Sequence, residues 1–417
     1  MISLGCAKNL VDSEKILGIL GANGISVSAQ PEKSDVVIIN TCGFIQPALA
    51  ETEEEIGRAV SVMSDQARLY VYGCAVNRCG AELKAQHPRV NGWFRLEERD
   101  RLLSAMQINK PQQSVRLPTT QGYAYLKIAE GCSNQCTYCT IPSIRGPYTS
   151  IGQDALVHEA RQLARLGYKE IILIAQDTTR YGRDLQNRTM LPGLIREIAL
   201  IRPIRWIRLM YAHPQSLTGS IIKEIEHNDK MCKYIDLPLQ HTSTRILRHM
   251  NRHYTKSQVM RKIDQLKKIK NISMRTTVIA GFPSETDKEF KELFSFLEQG
   301  VFEWLGIFPY YKESGTRAAE QNQVPQDVIQ ARYQELLGLQ QELMIRNNEE
   351  RIGREYDVLV DRIASRAFGH AEFTAPEVDA EIMLTGNRIQ SGHFYRARIT
   401  GCTAHTLFGT PVAAHAA

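Results

Sequence analysis

Residues 123–139 read YAYLKIAEGCSNQCTYC, an apolar stretch followed at once by three cysteines. Residues 123–129 predict a β-strand, and five more strand patterns separated by helical patterns follow, at 170–175, 205–210, 233–237, 274–280 and 303–310. Six β/α units predict a parallel barrel that is incomplete, because a closed barrel of eight units needs more chain. The residues that follow such strands carry the chemistry of a barrel, so the cysteines lie where a reaction is expected.

The three cysteines of this stretch have the spacing CxxxCxxC, and we call them the loop cysteines: Cys132, Cys136 and Cys139. Three thiolates on one short loop bind three irons of a 4Fe-4S cluster and leave the fourth iron open to a chelating ligand. A partial zinc site is the alternative, but the neighbouring sequence lacks a fourth Cys or His at zinc spacing. The spacing therefore predicts a cluster with an open position, which reductive cleavage of S-adenosylmethionine requires.

The sequence on the amino-terminal side of the barrel predicts a small parallel α/β domain at residues 1–110. Strand patterns at 2–4, 35–40 and 68–73 alternate there with helical patterns. Polar residues that break this periodicity then indicate a linker, namely Pro111, Gln112, Gln113, Ser114 and Pro118.

A helical pattern and then short strand patterns follow the barrel. Pro325 begins the helical pattern, so the barrel and its connecting helix are expected at 122–350. Residues 352–412 contain short alternating strands, such as 356–360 and 395–399, which suit a small antiparallel β-barrel of oligonucleotide-binding type. The predicted fold class is therefore multidomain α/β, with an N-terminal parallel domain, an incomplete (β/α)6 barrel and a small terminal β-barrel.

A second cysteine set comes directly after apolar strands, in ISLGC, VVIINTC and LYVYGC, and we call its members the edge cysteines: Cys6, Cys42 and Cys74. The carboxyl ends of parallel strands meet at one edge of a sheet, where helix N-termini also lower thiol pKa values. Three converging thiols predict a second cluster, and the alternative is three independently buried small residues. The remaining cysteines lack this pattern and are interpreted as small buried apolar residues: Cys79, Cys232 and Cys402.

Length, charge and cysteine use limit the class of protein. The 417 residues predict roughly two to four domains, and the formal net charge of +6 is too modest to indicate a nucleic-acid partner by itself. The sequence has no run near the roughly 18 to 20 apolar residues of a membrane span, and no signal-peptide pattern. We therefore expect a cytoplasmic protein without a membrane partner, whose cysteines are reduced and bind metal or serve catalysis.

Three motifs carry a resemblance to a known family: SLGCAKN at residues 3–9, NTCGF at 40–44 and GCSNQCTYCTIPSIRG at 131–146. Together they resemble the radical S-adenosylmethionine methylthiotransferase family over essentially the whole chain, including the terminal barrel that this family calls TRAM. The resemblance implies that the cluster on the loop cysteines cleaves S-adenosylmethionine to a 5'-deoxyadenosyl radical. It also implies that a second 4Fe-4S cluster, on the edge cysteines, carries the sulfur.

The text GCAKN at residues 5–9 resembles the RimO-type branch of this family, whose members modify an aspartate β-carbon in small-subunit ribosomal protein twelve. The tRNA-modifying relatives tend to have GCQ or GCK there, so a tRNA adenosine is the alternative substrate. An iron-sulfur carrier without enzymatic activity is a further alternative, which the open CxxxCxxC loop disfavours. Three positions depart from the family pattern without removing a predicted ligand: Cys79, Ile151 and Ser284.

Residues that follow the later barrel strands are candidates for contacts to S-adenosylmethionine: Gln176, Asp177, His213 and Gln240. The stretch that ends at Gly281 resembles the family's fifth-strand cofactor contact, so the resemblance implies a further contact there. Arg208 and Tyr211, at the end of the third strand, are expected to point towards the same barrel mouth. A capped turn at Asp177 and a structural role for His213 are the alternatives. Gly281 is expected to permit a close approach of the backbone.

Two charged stretches of the sequence indicate which molecules the protein could bind. Residues 245–270 contain nine Lys or Arg against one Asp, which indicates either an RNA contact or a solvated helix face. The terminal barrel is nearly neutral, and its acidic run of Glu377, Asp379 and Glu381 predicts docking onto a basic ribosomal protein, with ordinary surface charge as the alternative. The expected partners are therefore a small-subunit ribosomal protein, on or near the ribosome, and an electron donor, with at most a weak RNA contact.

Overall fold

The computed structural model describes residues 1–109, 115–186 and 188–412. These residues form two compact units. The first contains Met1–Thr119, Glu130–Thr149 and Glu313–Thr316, and the second contains Thr120–Ala129, Ser150–Lys312 and the chain from Arg317 onwards. Pro118 lies in the first unit, whereas the other predicted linker residues lie outside the described part of the chain: Pro111, Gln112, Gln113 and Ser114. The domain boundaries 1–110, 122–350 and 352–412 stay a prediction.

A parallel sheet of four strands organises the first unit. Its strands lie side by side in chain order: β1 Ile2–Ser3, β2 Val36–Thr41, β3 Arg68–Gly73 and β4 Gly92–Phe94. The helices of this unit are α1 Ala7–Ala22, α2 Gln46–Val62, α3 Cys74–Gln86, α4 Arg99–Ala105 and α5 Ile141–Arg145. The sequence pattern predicts the first three strands but not β4, because three residues are too few for a recognisable apolar alternation.

Side chains of successive strand residues bury both faces of this sheet. Ile38 and Tyr70 belong to one core cluster, with Ile16 of α1. Val37 and Leu69, their neighbours in sequence, belong to the other cluster, which includes residues of α2. This alternation is the period of two that a strand imposes. With both faces covered by helices, the strands read as continuous apolar runs.

Six parallel strands form the partial barrel of the second unit. They are β5 Tyr123–Lys127, β8 Glu170–Ile174, β9 Trp206–Leu209, β10 Tyr234–Asp236, β11 Ser273–Ala280 and β12 Trp304–Pro309. Two short strands lie between β5 and β8 along the chain, β6 Ala129–Glu130 and β7 Thr149–Ser150. The pairing order is β5-β8-β9 and β10-β11-β12, and an isolated bridge from Ile207 to Met231 lies between these two sheets. All six predicted barrel strands are confirmed.

Helices connect these strands: α6 Gln153–Arg165, α7 Arg183–Gln186, α8 Leu191–Ala199, α9 Gly219–His227, α10 Thr244–His249, α11 Lys256–Leu266 and α12 Asp287–Glu298. Short 3-10 turns occupy Pro31–Lys33, Leu96–Glu98, Thr178–Arg180 and Arg317–Glu320. The long helix α13, Gln326–Glu349, begins directly after Pro325, as predicted. Among the described residues, no helix has both the length and the apolar character needed to cross a bilayer.

Residues after α13 form a small closed barrel of five strands: β13 Glu355–Ile363, β14 Ala367–Ala371, β15 Glu381–Leu384, β16 Phe394–Cys402 and β17 Thr406–Pro411. The order around it is β13-β14-β15-β17-β16. All pairs are antiparallel except β15 with β17, which is parallel. The predicted fold class is therefore confirmed, and the single parallel pair is a detail that the strand pattern does not predict.

Buried charges join this terminal barrel to β8 and β9. Glu170 accepts a hydrogen bond from Arg208 Nε at 2.7 Å, and its second oxygen pairs with His370 Nε2 of β14. The Arg208 guanidinium also donates to the carbonyls of Ala371 at 3.1 Å and Glu372 at 2.8 Å. The side chains of Glu170, Arg208 and His370 are at most 1% exposed. Such charges are tolerated in a core only when each one is paired and hydrogen bonded, as they are here.

Candidate metal centre and cofactor site

The edge cysteines lie at the carboxyl edge of the sheet in the first unit. Cys6 is the N-cap residue of α1, Cys42 directly follows β2, and Cys74 is the first residue of α3, directly after β3. Gly5, with φ +83°, brings the backbone so close to Cys42 that a Cβ on it would lie 2.8 Å from the Cys42 Sγ. The structure therefore brings the three cysteines to one edge, while their role as metal ligands stays a prediction.

Two asparagines fix the backbone around these thiols. Asn9 of α1 donates from Nδ2 to the carbonyls of Leu4 at 3.0 Å and Thr41 at 2.8 Å. Asn40 donates from Nδ2 to the Asn9 carbonyl at 2.8 Å, and the Cys74 Sγ lies 3.5 Å from Asn9 Oδ1. Buried amides with such partners hold neighbouring segments in one arrangement. Both belong to the motifs at 3–9 and 40–44, to which the structure gives this scaffolding role.

Arg145, at the end of α5, reaches the same edge, and its side chain is only 1% exposed. Its Nη1 lies 2.7 Å from Glu130 Oε1 and 3.3 Å from Asp12 Oδ2, and its Nη2 donates to Asn9 Oδ1. The sequence pattern does not single out Arg145. The available signal is its place in the motif at 131–146, six residues after Cys139.

Local charges give the three edge thiols different pKa values. Burial opposes the thiolate of Cys6, but the cations of Lys8 and Arg145, together with backbone hydrogen bonds from Lys8 and Asn9, outweigh burial and lower the pKa of this thiol. Burial raises the pKa of Cys42. It also raises the pKa of Cys74 to about 12, although Arg145 acts in the opposite direction. Cys6 is therefore the thiol of this set that ionises most readily.

The loop cysteines follow β6 and precede α5, also within the first unit. The Cys132 N–H donates to the Gly146 carbonyl at 3.0 Å, and the Cys139 N–H donates to the Cys136 carbonyl at 3.1 Å. All three side chains are partly exposed. Backbone hydrogen bonds thus hold the loop at its start and at its last turn.

The donor chemistry of both sets fits iron-sulfur clusters, which are held by cysteine thiolates. Within the described ranges, no three His, Cys, Asp or Glu side chains are arranged to surround a single metal ion. A cluster needs its ligands further apart than one ion does, because its irons lie at separate corners. The binding of a cluster by either set stays a prediction.

Asp177 and His213, two of the predicted cofactor contacts, lie close together after β8 and β9. The Thr179 hydroxyl donates to Asp177 Oδ1 at 2.6 Å and accepts from the His213 N–H at 3.1 Å. Burial, followed by the charge of Arg252, lowers the pKa of His213 well below 6.5. Its Nδ1 accepts from the Gln215 N–H at 3.3 Å, so a neutral ring with the proton on Nε2 results.

Gln240 extends the pairing of β10 with β11 beyond the end of β10. Its N–H donates to the Thr277 carbonyl at 2.8 Å, its carbonyl accepts from the Ile279 N–H at 2.9 Å, and its φ is +68°. Gln176 directly follows Ala175 and is partly buried. Both residues lie at carboxyl ends of barrel strands, and their contacts to a cofactor stay a prediction.

Gly281 has a packing role at the end of β11. A Cβ on it would lie 2.5 Å from the Cγ1 of Ile329 in α13, and its φ is +73°. Its N–H donates to Glu285 Oε2 at 2.9 Å. The close approach that this glycine permits is therefore to α13, and a contact to the cofactor stays a prediction.

Arg208 corrects one expectation for the barrel mouth. Its guanidinium pairs with Glu170, the first residue of β8, and with carbonyls of the terminal barrel, so it points away from the carboxyl ends of the strands. The buried carboxylate of Glu170 decides this direction, because an unpaired charge there would be costly. Tyr211 does lie beyond β9, where its N–H donates to Asp236 Oδ2 at 2.9 Å.

The acidic run of the terminal barrel is also placed differently from the expectation. Glu377 accepts from the hydroxyls of Tyr123 at 3.0 Å and Tyr125 at 2.9 Å. Asp379, whose side chain is fully buried, pairs with Arg275 at 2.8 Å. Glu381 pairs with an arginine of β13 and is 39% exposed. Docking of this run onto a basic protein is therefore wrong for Asp379, because Arg275 already binds its buried carboxylate. It stays a prediction for the exposed Glu377 and the partly exposed Glu381.

The basic run at 245–270 is divided between internal and exposed side chains. Arg245 pairs with Glu289 of α12, and the buried Arg252 donates to the Pro238 carbonyl at 2.9 Å. Four lysines are exposed: Lys256, Lys267, Lys268 and Lys270. Part of the run is therefore structural, and an RNA contact stays a prediction.

The cysteines outside the two sets differ in burial. Cys232 is fully buried, as interpreted from the sequence. Cys79 and Cys402 are only partly buried. Cys79 lies at a break in α3, with φ −142° and ψ 34°.

Family models match three parts of the chain. The Radical SAM superfamily matches residues 126–297, Uncharacterized protein family UPF0004 matches residues 1–95, and the TRAM domain matches residues 352–412. The first match contains the loop cysteines, and the second contains the edge cysteines.

Relatives similar over the full length decide the family. A ribosomal protein uS12 methylthiotransferase RimO from Aquifex aeolicus is 40% identical and aligns with 98% of this chain and 96% of its own. Proteins of the same name from Carboxydothermus hydrogenoformans and Clostridium kluyveri are 39% and 40% identical, each over 98% of this chain and 98% and 97% of their own. The chain belongs to this methylthiotransferase family. The resemblance carried by the three motifs is thereby confirmed.

Membership confirms the predicted enzyme class and cofactor classes. The chain is a radical S-adenosylmethionine methylthiotransferase, with 4Fe-4S clusters and S-adenosylmethionine as its cofactors. A radical S-adenosylmethionine methyltransferase, TsrM, from Kitasatospora setae has a similar fold, with a TM-score of 0.55 at 14% identity over 76% of this chain and 74% of that chain. The radical enzyme OxsB has a TM-score of 0.51 at 12% identity over 81% of this chain and 55% of that chain. These two structures support the fold alone.

Proposed function

We propose that this methylthiotransferase inserts a methylthio group at the β-carbon of an aspartate in ribosomal protein uS12. The observation that carries the proposal is the presence of two separate sets of three cysteines within one compact unit, one at a sheet edge and one on the CxxxCxxC loop. Full-length relatives named as uS12 methylthiotransferases support the substrate. The terminal TRAM barrel supports an additional RNA contact, which suits a substrate that is part of the ribosome.

In this proposal each cysteine set has its own task. The loop cysteines hold one cluster and the edge cysteines hold the other: Cys132, Cys136 and Cys139, and Cys6, Cys42 and Cys74. When bound, these clusters and S-adenosylmethionine supply the radical chemistry and the sulfur. A radical route suits this substrate, because a hydrogen on the β-carbon beside a carboxylate has no accessible pKa. An external electron donor is also required.

We further propose that S-adenosylmethionine binds at the carboxyl ends of the barrel strands. Asp177 offers a buried carboxylate that the Thr179 hydroxyl orients, and the neutral ring of His213 offers an Nε2–H donor. Gln176 and Gln240 contribute polar side chains that follow β8 and β10, and Gly281 shapes the turn after β11. None of these groups needs to exchange a proton in the reaction. Their task is to orient the cofactor.

Mass analysis of uS12 and of tRNA from cells without this chain tests the substrate. The methylthio group on uS12 should be lost on deletion, and the unsubstituted chain should restore it. Cys136→Ala should not restore it, because one ligand of the loop set is missing. Cys232→Ala is the matched control and should restore it, because this buried cysteine lies outside both sets. Loss of a methylthio group from tRNA with uS12 unaffected would contradict the proposal and favour the tRNA alternative.

A further inference from the structure

A buried arginine lies beside the edge cysteines, in addition to the buried Lys8. Arg145 is 1% exposed and contacts two carboxylates and one amide oxygen, those of Glu130, Asp12 and Asn9. The Asn9 amide oxygen that Arg145 binds lies 3.5 Å from the Cys74 thiol. A guanidinium does not lose its proton in proteins, so a full positive charge is fixed at this place.

The same residue is tied to the loop cysteines through the backbone. Arg145 ends α5, and the carbonyl of the next residue, Gly146, accepts the Cys132 N–H at 3.0 Å. Arg145 therefore directly precedes the residue that holds the start of the loop. All of these residues belong to the first compact unit.

The positive charge of Arg145 suits the anionic 4Fe-4S cluster that the edge cysteines are proposed to hold. Three thiolates on a 4Fe-4S core give an anionic group, and reduction adds one more negative charge. A fixed cation nearby stabilises the reduced form relative to the oxidised form, because the Coulomb attraction grows with the added charge. Net local charge and hydrogen bonding are among the factors that set the potential of such clusters.

We propose that Arg145 is a positioning residue for the edge cysteines: its guanidinium raises the reduction potential of the cluster that they hold. The proposal rests on the assignment of the edge cysteines to a cluster. Because the effect is electrostatic, removing a nearby positive charge should lower the potential, and removing a nearby negative charge should raise it. Removal of the cation by Arg145→Gln should make the potential more negative. Removal of its carboxylate partner by Asp12→Asn should make the potential more positive.

The experiment uses the full chain with Cys132, Cys136 and Cys139 replaced by Ala, so that only the edge cluster is present. After anaerobic reconstitution, iron content is measured, and the midpoint potential is determined by titration with dithionite followed by electron paramagnetic resonance. Arg145→Gln should give a negative shift, Asp12→Asn a positive shift, and Arg145→Lys a smaller shift than Arg145→Gln. Arg116→Gln is the matched control and should leave the potential unchanged, because this buried arginine pairs with Glu14 of α1.

The outcomes distinguish a wrong cluster assignment from a wrong role for Arg145. A background variant that binds no iron would overturn the cluster assignment in the proposed function. A background variant that binds iron, with the same potential in Arg145→Gln and Asp12→Asn, would overturn the role of Arg145. Shifts of the same sign in both variants would also overturn it, because a purely structural role predicts no reversal. If Arg145→Gln does not fold, the positive shift in Asp12→Asn decides the electrostatic claim.

Discussion

The buried His370 should make the folded protein less stable as the pH rises above neutrality. Its Nε2 pairs with Glu170, and its Nδ1 lies 2.8 Å from Asp361 Oδ1. Burial alone would lower the pKa of His370, but the carboxylates of Asp361 and Glu170 outweigh burial and raise it from 6.5 to about 9. Arg208, the other cation of the network, stays charged throughout because it cannot release its proton.

The size of the effect follows from this shift. A histidine whose pKa is raised on folding stabilises the protein fully below its unfolded pKa of 6.5, and this contribution is lost as pH rises through about 9. A shift of that size corresponds to about 3 kcal/mol of unfolding free energy. His370→Gln removes the cation and leaves Glu170 with Arg208 only. The variant should therefore be about 3 kcal/mol less stable near pH 6, and this difference should shrink towards pH 9.5.

Urea unfolding followed by tryptophan fluorescence is a suitable assay, because the ring of Trp206 lies 5.9 Å from the ring of His370. The unfolding free energy is compared at several pH values between about 6 and about 9.5 for the unsubstituted chain and His370→Gln. His405→Gln is the matched control, since His405 is an exposed histidine of the same barrel. An equal pH dependence in the unsubstituted chain and His370→Gln would refute the reasoning.

Three further predictions concern the cysteine sets and the acidic run. Replacing all three loop cysteines with Ala should leave the iron of one cluster after reconstitution; loss of all iron, or of none, would contradict two independent sites. Replacing all three edge cysteines with Ala should abolish sulfur insertion while formation of 5'-deoxyadenosine continues, because cleavage of S-adenosylmethionine needs only the cluster with the open position. A folded variant that no longer cleaves S-adenosylmethionine would contradict this division. Asp379→Asn should destabilise the second unit by about 2 to 3 kcal/mol, because Arg275 loses its carboxylate partner at 2.8 Å and keeps only Asp236 at 3.7 Å. The partly exposed Glu381→Gln should cost less than about 1 kcal/mol. Reduced binding of uS12 by a stable Asp379→Asn variant would restore the docking interpretation.

Local patterns were sufficient for the six barrel strands and for the positions of the cysteines, although not for the short strand β4. Each edge cysteine directly follows an apolar run, and the loop cysteines lie within eight residues of one another, so both sets can be recognised from neighbouring letters. The parallel sheet then converts a repeated local offset into convergence in space, because all strands of such a sheet end at the same edge. The sequence by itself therefore determined the two cysteine sets, the six barrel strands and the family.

Only the tertiary structure decided which charged residues are paired with one another. Arg145 meets Asn9 across 136 positions of sequence, and Glu170 meets His370 across 200. A charge written in the sequence looks the same whether it is solvated or buried against a distant partner, so Asp379 reads as surface charge although Arg275 binds it. Whether a charge is buried and paired depends on which segments the fold brings together, and that information is absent from any local stretch of residues.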